Sequence, residues 1–116
     1  MFKIKNTTFY VTRADSGSFD VGFTDYTFQA GDIIEFKIYR KDGLDEEPLL
    51  VKSITASEET TTITIDLLSA DTNLGSPENE IVEYWYEMKL NGSQTVFCYD
   101  ETGPKKFMLY PSGIDI

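Results

Sequence analysis

The sequence predicts an all-β domain, a sandwich or barrel of about eight short strands with no helix of normal length. Three observations carry this reading. Alternating apolar and polar runs recur at close intervals, each bounded by Gly, Pro, Asn, Asp or Ser. The longest run, residues 81–90, sets Val82, Tyr84, Tyr86, Met88 and Leu90 against Glu83, Trp85, Glu87 and Lys89, the period of a strand with one buried and one wet face. Directly after it, Asn91-Gly92 supplies two residues that accept positive φ in a tight two-residue turn, so 81–90 is expected to pair with 94–99.

The other elements follow in order. A first extended stretch over residues 7–13 carries Phe9 and Val11, and a second over 18–23 alternates Phe19, Val21 and Phe23 with Ser18, Asp20 and Gly22. Residues 29–32, Gln-Ala-Gly-Asp, turn the chain into a strand over 33–39, with Ile34, Phe36 and Ile38 on one side. The charged stretch 40–48, with its Asp42-Gly43 step, reads as an exposed loop before a strand resumes over 49–55. Ser57-Glu-Glu-Thr60 turns into 61–67, where Ile63, Ile65 and Leu67 face inward and threonines suit the outer face. Residues 68–77 break the rhythm and have room for one helical turn at most. The loop 100–104 precedes a last strand over 105–110. Residues 1–111 thus read as one sandwich domain and 112–116 as a tail, with no linker, repeat or second domain.

Composition narrows the functional classes. Ten basic residues against twenty acidic ones give a formal charge of −10, which repels nucleic acid and anionic membrane. No apolar stretch approaches the roughly 18 residues needed to span a bilayer, and the chain reads as made and folded in the cytoplasm. A single cysteine, Cys98, allows no internal disulfide and reads as a buried structural thiol. Folding must therefore rest on packing, for which eight Phe, seven Tyr and one Trp supply large side chains.

With no histidine, a Ser-His-Asp triad and a Cys-His pair are excluded, and one cysteine without histidine rules out a zinc site. Asp20, Asp66, Asp71, Asp100 and Glu101 are the carboxylates that a glycosidase-like pair would need, but each falls in or near a turn or on a wet face, where solvation or backbone capping is the simpler role. The acidic stretch 42–47 and the pair Asp66 and Asp71 offer oxygen ligands for calcium without the spacing of an EF-hand loop. No catalytic residue, metal site or cofactor is expected. Arg13 and Asp15 are expected to pin the turn between the first strands, and Asp71, Thr72, Asn91 and Gly92 to form turns. Trp85 lies on the charged face of its strand, either covered by a neighbouring segment or serving as a contact anchor, and Tyr39, Tyr99 and Tyr110 are candidates to extend such a surface.

Three segments taken jointly add a resemblance. They are Val11-Thr-Arg-Ala-Asp-Ser-Gly-Ser-Phe-Asp-Val21, then Ile63-Thr-Ile-Asp-Leu-Leu-Ser-Ala-Asp-Thr-Asn-Leu74, and finally Tyr84-Trp-Tyr-Glu-Met-Lys-Leu90 with Thr95-Val96. Together they resemble a family of small proteins from tail and baseplate gene clusters of phages and prophages of Gram-positive bacteria. Ala14 stands where that family usually has glycine, and residues 74–81 form a longer, more acidic insert than its usual approach to the strand. The resemblance implies an immunoglobulin-like antiparallel β-sandwich, similar to the N-terminal domain of phage baseplate upper proteins, without catalytic residues. It implies a structural or adaptor domain that associates with itself and docks to other tail or baseplate proteins. Such a domain is formed in the bacterial cytoplasm during assembly and carried in the virion tail, either alone or continued into a longer fibre. The competing expectation is a carbohydrate- or protein-binding module of a cell-surface assembly, with Trp85 and tyrosines stacking on sugar rings. Trp85→Ala separates the two if glycan binding is lost with the fold intact.

Overall fold

The alternation at 82–90 becomes the longest strand and the middle of the molecule. The computed structural model describes residues 1–40, 47–75, 78–97, 99–100 and 103–112. Among these the elements run β1 (Phe2–Lys5), β2 (Thr8–Thr12), β3 (Gly17–Val21), β4 (Ile33–Tyr39), β5 (Leu50–Thr55), β6 (Ile63–Leu67), α1 (Ser69–Thr72), β7 (Val82–Leu90), β8 (Gln94–Phe97), β9 (Tyr99–Asp100), β10 (Gly103–Pro104) and β11 (Lys106–Tyr110). The fold is all-β with a single helical turn, and no described helix is long and apolar enough to cross a membrane.

Seven strands form one large sheet in the order β1-β2-β11-β7-β4-β5, with β8 also on β7. Along one edge β7 pairs with β4, from Trp85 opposite Tyr39 to Leu90 opposite Ile34. Its other edge is shared end to end: β11 pairs with residues 82–85 and β8 with 88–90. Because both run antiparallel to β7, they occupy one line from which the chain departs after β8 and to which it returns at β11. The Tyr86 amide, donated to the Lys105 carbonyl, marks the return.

Two features depart from the expected antiparallel sandwich of about eight strands. The large sheet is mixed, since β2 lies parallel to β11, with Phe9 beside Phe107 and Val11 beside Leu109. Periodicity is blind to strand direction, and either direction keeps these four residues on the apolar face. The strand β1 was not anticipated, because Phe2-Lys-Ile-Lys5 alternates over only four residues. It forms a hairpin with β2 through Asn6 and Thr7, whose φ values of 50° and 67° suit the mirror-image turn that matches strand twist. In the other hairpin Asn91 and Gly92 take positive φ as expected, but the ladder opposes Leu90 to Gln94, so Ser93 joins the loop and a bulge follows.

A second layer, the antiparallel pair β3–β6, crosses the inner face of the large sheet, giving the molecule a sandwich-like build. Val21, Ile63, Ile65 and Leu67 from this layer share one core with Ile34, Phe36, Ile38 and Leu109 from the sheet. Phe9 is the hub. Its ring lies 5.0 Å from that of Tyr86, 5.4 Å from Phe107, 5.5 Å from Phe36 and, across the layers, 4.9 Å from Phe19. Burying each such side chain contributes about 2–3 kcal/mol, with roughly 1 kcal/mol more for a well-set ring pair. Tyr84 and Tyr86 are buried with them and pass their hydroxyl protons to the Leu74 and Thr7 carbonyls at 3.4 and 2.6 Å, which satisfies the polar end of each ring.

The chain crosses between layers four times, first at the β2–β3 corner and last between β6 and β7. One side chain joins these two: Arg13, only 5% exposed, donates from Nη1 to the carbonyls of Leu74 at 2.6 Å and Gly75 at 3.1 Å. Gly75 has φ +57°, and a Cβ there would collide with the Tyr84 hydroxyl. Ala14, at the corner itself, has φ +70° and bears the Cβ that this region penalises. Urea denaturation should therefore show Gly75→Ala losing about 2 kcal/mol or more and Ala14→Gly gaining about 0.5–1 kcal/mol, with the dependence on denaturant unchanged in the latter.

Candidate functional site

The outer face of the large sheet carries the side chains that strand alternation directs away from the core. Across β4 and β7 it shows a ladder of opposite charges, Glu35 against Lys89 and Lys37 against Glu87. Beyond this ladder Trp85 sits between Tyr39 on β4 and Lys106 on β11. Met108, two residues along β11, lies diagonal to Trp85 and opposite Tyr10 of β2, whose ring stands 6.4 Å from that of Tyr110. Tyr39, Trp85, Met108, Tyr10 and Tyr110 thus form an oblique stripe over four strands.

Exposure along the stripe is uneven. Tyr39 and Tyr110 are buried, while Trp85, Met108 and Tyr10 are half-buried, so the last three offer the surface. Tyr39 donates its hydroxyl to Glu87 Oε1 at 2.7 Å, and Glu87 is 7% exposed although it lies on the charged face of its strand. The anchors expected at Trp85, Tyr39 and Tyr110 share one face, with Tyr110 at its far margin; the Tyr99 side chain lies outside the described residues. Met108 and Tyr10 were missed, since only the parallel pairing of β2 with β11 brings them beside Trp85.

The residues expected to form turns gather at opposite ends of the sandwich. At one end Arg13 meets residues 73–75, Thr72 Oγ1 donates to the Asp15 carbonyl at 2.8 Å, and the Asp15 carboxylate pairs with the Met1 amino group. Asp71 Oδ2 accepts from the Leu68 amide at 2.8 Å, capping α1, and from Lys52 Nζ at 2.9 Å. At the other end Asn91 accepts from the Ile33 amide at 2.8 Å and donates to Asp32 at 3.2 Å. Asp32 also accepts from the Tyr26 hydroxyl at 2.5 Å and the Gln29 amide at 3.0 Å, a knot that holds the 26–32 turn to the β7–β8 hairpin.

The carboxylates considered for chemistry do not converge. Asp20 and Asp66 are exposed on the outer face of β3–β6, where Thr64 donates to Asp20 at 2.6 Å, and Asp71 is engaged at α1. The Asp100 side chain, Glu101, Cys98 and residues 42–46 lie outside the described set. Among the described residues no three metal-ligating side chains cluster. The largely apolar groove beside β3 and β1, about 230 Å³ in volume, is floored by Phe9, Tyr86 and Met88. Comparison with protein-family models, curated proteins and solved structures finds no match to this chain.

Two carboxylates are tuned by their surroundings. Three hydrogen bonds hold Asp32 below its ordinary value, that from the Gln29 amide foremost, then Tyr26 and Asn91, against a smaller opposing effect of desolvation. Burial alone would raise Asp71, but the Lys52 bond, the Leu68 amide and the Lys52 charge together outweigh it and leave the group lowered. Tyr26 is raised, first by its bond to Asp32, then by desolvation and by the Asp32 charge. A lowered carboxylate contributes stability above its unfolded value near 4 that fades as pH falls through the folded one; a raised tyrosine contributes below about 10 and fades above it. Thermal melts should therefore weaken at both extremes, with Asp71→Asn lessening the acid loss and leaving the alkaline limb as it was, and Tyr26→Phe lessening both, since its hydroxyl also helps hold Asp32 low.

Proposed function

We propose that this chain is a non-enzymatic docking domain that works through the outer face of its large sheet, as a structural or adaptor part of a phage or prophage tail or baseplate. The aromatic and thioether stripe carries the reading. Tryptophan and tyrosine bring large rigid area to a contact, and here they stand on a backbone already ordered by β-pairing, so little backbone entropy remains to be lost on binding. The charge ladder on one side and Lys3 and Lys5 of β1 toward the other margin supply a polar rim, while Lys106, beside Trp85, pairs with Glu83 at 2.9 Å within the patch. In a chain of net charge −10, that lysine margin suits the acidic surface of another copy, which favours repeated head-to-tail association.

We further read the sandwich as immunoglobulin-like. The order β2-β11-β7-β4-β5, the parallel step between β2 and β11, and the facing pair β3–β6 support this arrangement. The sequence resemblance to tail and baseplate proteins supports the assembly role, in which the domain is carried in the virion tail.

Light scattering over a wide concentration range tests the docking surface. The chain should associate, and Trp85→Ala should weaken association by about 2 kcal/mol or more while leaving the thermal melt close to the parent's. A strict monomer, or a variant that associates equally well, refutes the self-association part.

A further inference from the structure

We propose that the open side of the sandwich, where the groove lies, docks an extended segment of another protein in which apolar residues alternate with lysine or arginine. The covering layer has two strands against seven, and beside β3 it leaves a groove whose walls, Ile4, Phe19 and Phe23, are partly exposed while the sheet residues beneath them are buried. Among the described residues β3 has a strand partner on one edge only, β6, and β1 likewise pairs only with β2. Phe2 closes one end of the gap by standing over Gly17. Beyond it Ile4, on the inward-facing side of β1 opposite the buried Phe9, is 43% exposed and lines the same groove as Phe19 and Val21 of β3.

Each part of this geometry specifies a part of the occupant. A strand edge presents backbone donors and acceptors that another extended chain satisfies, which is the basis of recognition by strand addition. The partly exposed apolar walls, Ile4, Phe19 and Phe23, call for apolar side chains at every second position. The intervening side chains of the added strand lie next to the outer face of β3–β6, whose exposed residues Ser18, Asp20, Thr64 and Asp66 include two carboxylates and no cation. They are therefore basic. Pairing of two copies through their β3 edges fits poorly, because each edge brings another Asp20. This surface is separate from the stripe around Trp85.

The test uses the whole chain and a capped synthetic peptide, Lys-Ile-Lys-Val-Lys-Ile-Lys, with Lys-Lys-Ile-Val-Ile-Lys-Lys as a control of equal composition and charge. Calorimetric titration should show saturable binding of the first peptide and far weaker binding of the second, with amide exchange slowed across residues 17–21. Ile4→Asp and Asp20→Lys, both at exposed positions, should each weaken binding about tenfold, since one removes an apolar contact and the other reverses a cross-strand charge pair. Trp85→Ala should bind as the parent does. The proposal is overturned if the parent fails to bind, if the two peptides bind alike, or if both groove variants bind undiminished. It is equally overturned if residues 17–21 become protected simply by concentrating the chain, which would make a second copy the occupant.

Discussion

The Arg13 guanidinium is the constraint on which the two-layered build depends. Strands of one layer are held to each other by backbone ladders, whereas among the described residues the layers are joined by side-chain packing and by the crossing segments, two of which share the Phe28–Thr60 bridge. Arg13 grips the last crossing from within the first, through the Leu74 and Gly75 carbonyls. Thr72 reaches back to the Asp15 carbonyl in the opposite sense. The bond to Leu74 is buried, and a buried carbonyl left without a donor costs about 1–3 kcal/mol, so this bond above all resists opening of the corner. The backbone is left-handed at Ala14 in the first crossing and at Gly75 in the last, beside the donor and the acceptor of these bonds.

Packing then fills what the corner defines. Phe9 touches rings from both layers, and the rings around it come from β3, β4, β7 and β11, elements spread over nearly the whole sequence. Such a core forms only when distant strands are already aligned, which couples the large sheet to the small one and favours cooperative folding. The aromatic stripe outside rests on the same pairings: Tyr39, Trp85 and Met108 stand where β4, β7 and β11 put them, so the outer surface inherits its order from the inner one.

Most strands were legible in the residue pattern. At 33–39 and 82–90 an unbroken alternation dictated both the element and its inward face, and Ile34, Phe36, Tyr84 and Tyr86 are buried accordingly. Direction and register were not legible, because they depend on partners that alternation does not name. The parallel placement of β2 beside β11 is one result, and the meeting of Tyr10 with Met108 is another. Arg13 was read as part of a local turn, yet its carbonyl partners lie some sixty residues on, and no local rule marks them. Glu87 looked solvated by its position in the alternation; only the proximity of Tyr39, set by the β4–β7 register, makes a buried hydrogen bond of it.

The shared edge of β7 has an evolutionary meaning. Where β8 ends and β11 begins, the chain leaves the sheet and rejoins the same line, so both flanking strands are paired with β7. Lengthening a segment with fixed, neighbouring ends raises its closure entropy only logarithmically. New sequence can be spliced in at that junction at little thermodynamic penalty, and descendants of this scaffold are free to diversify there while the remainder stays unchanged.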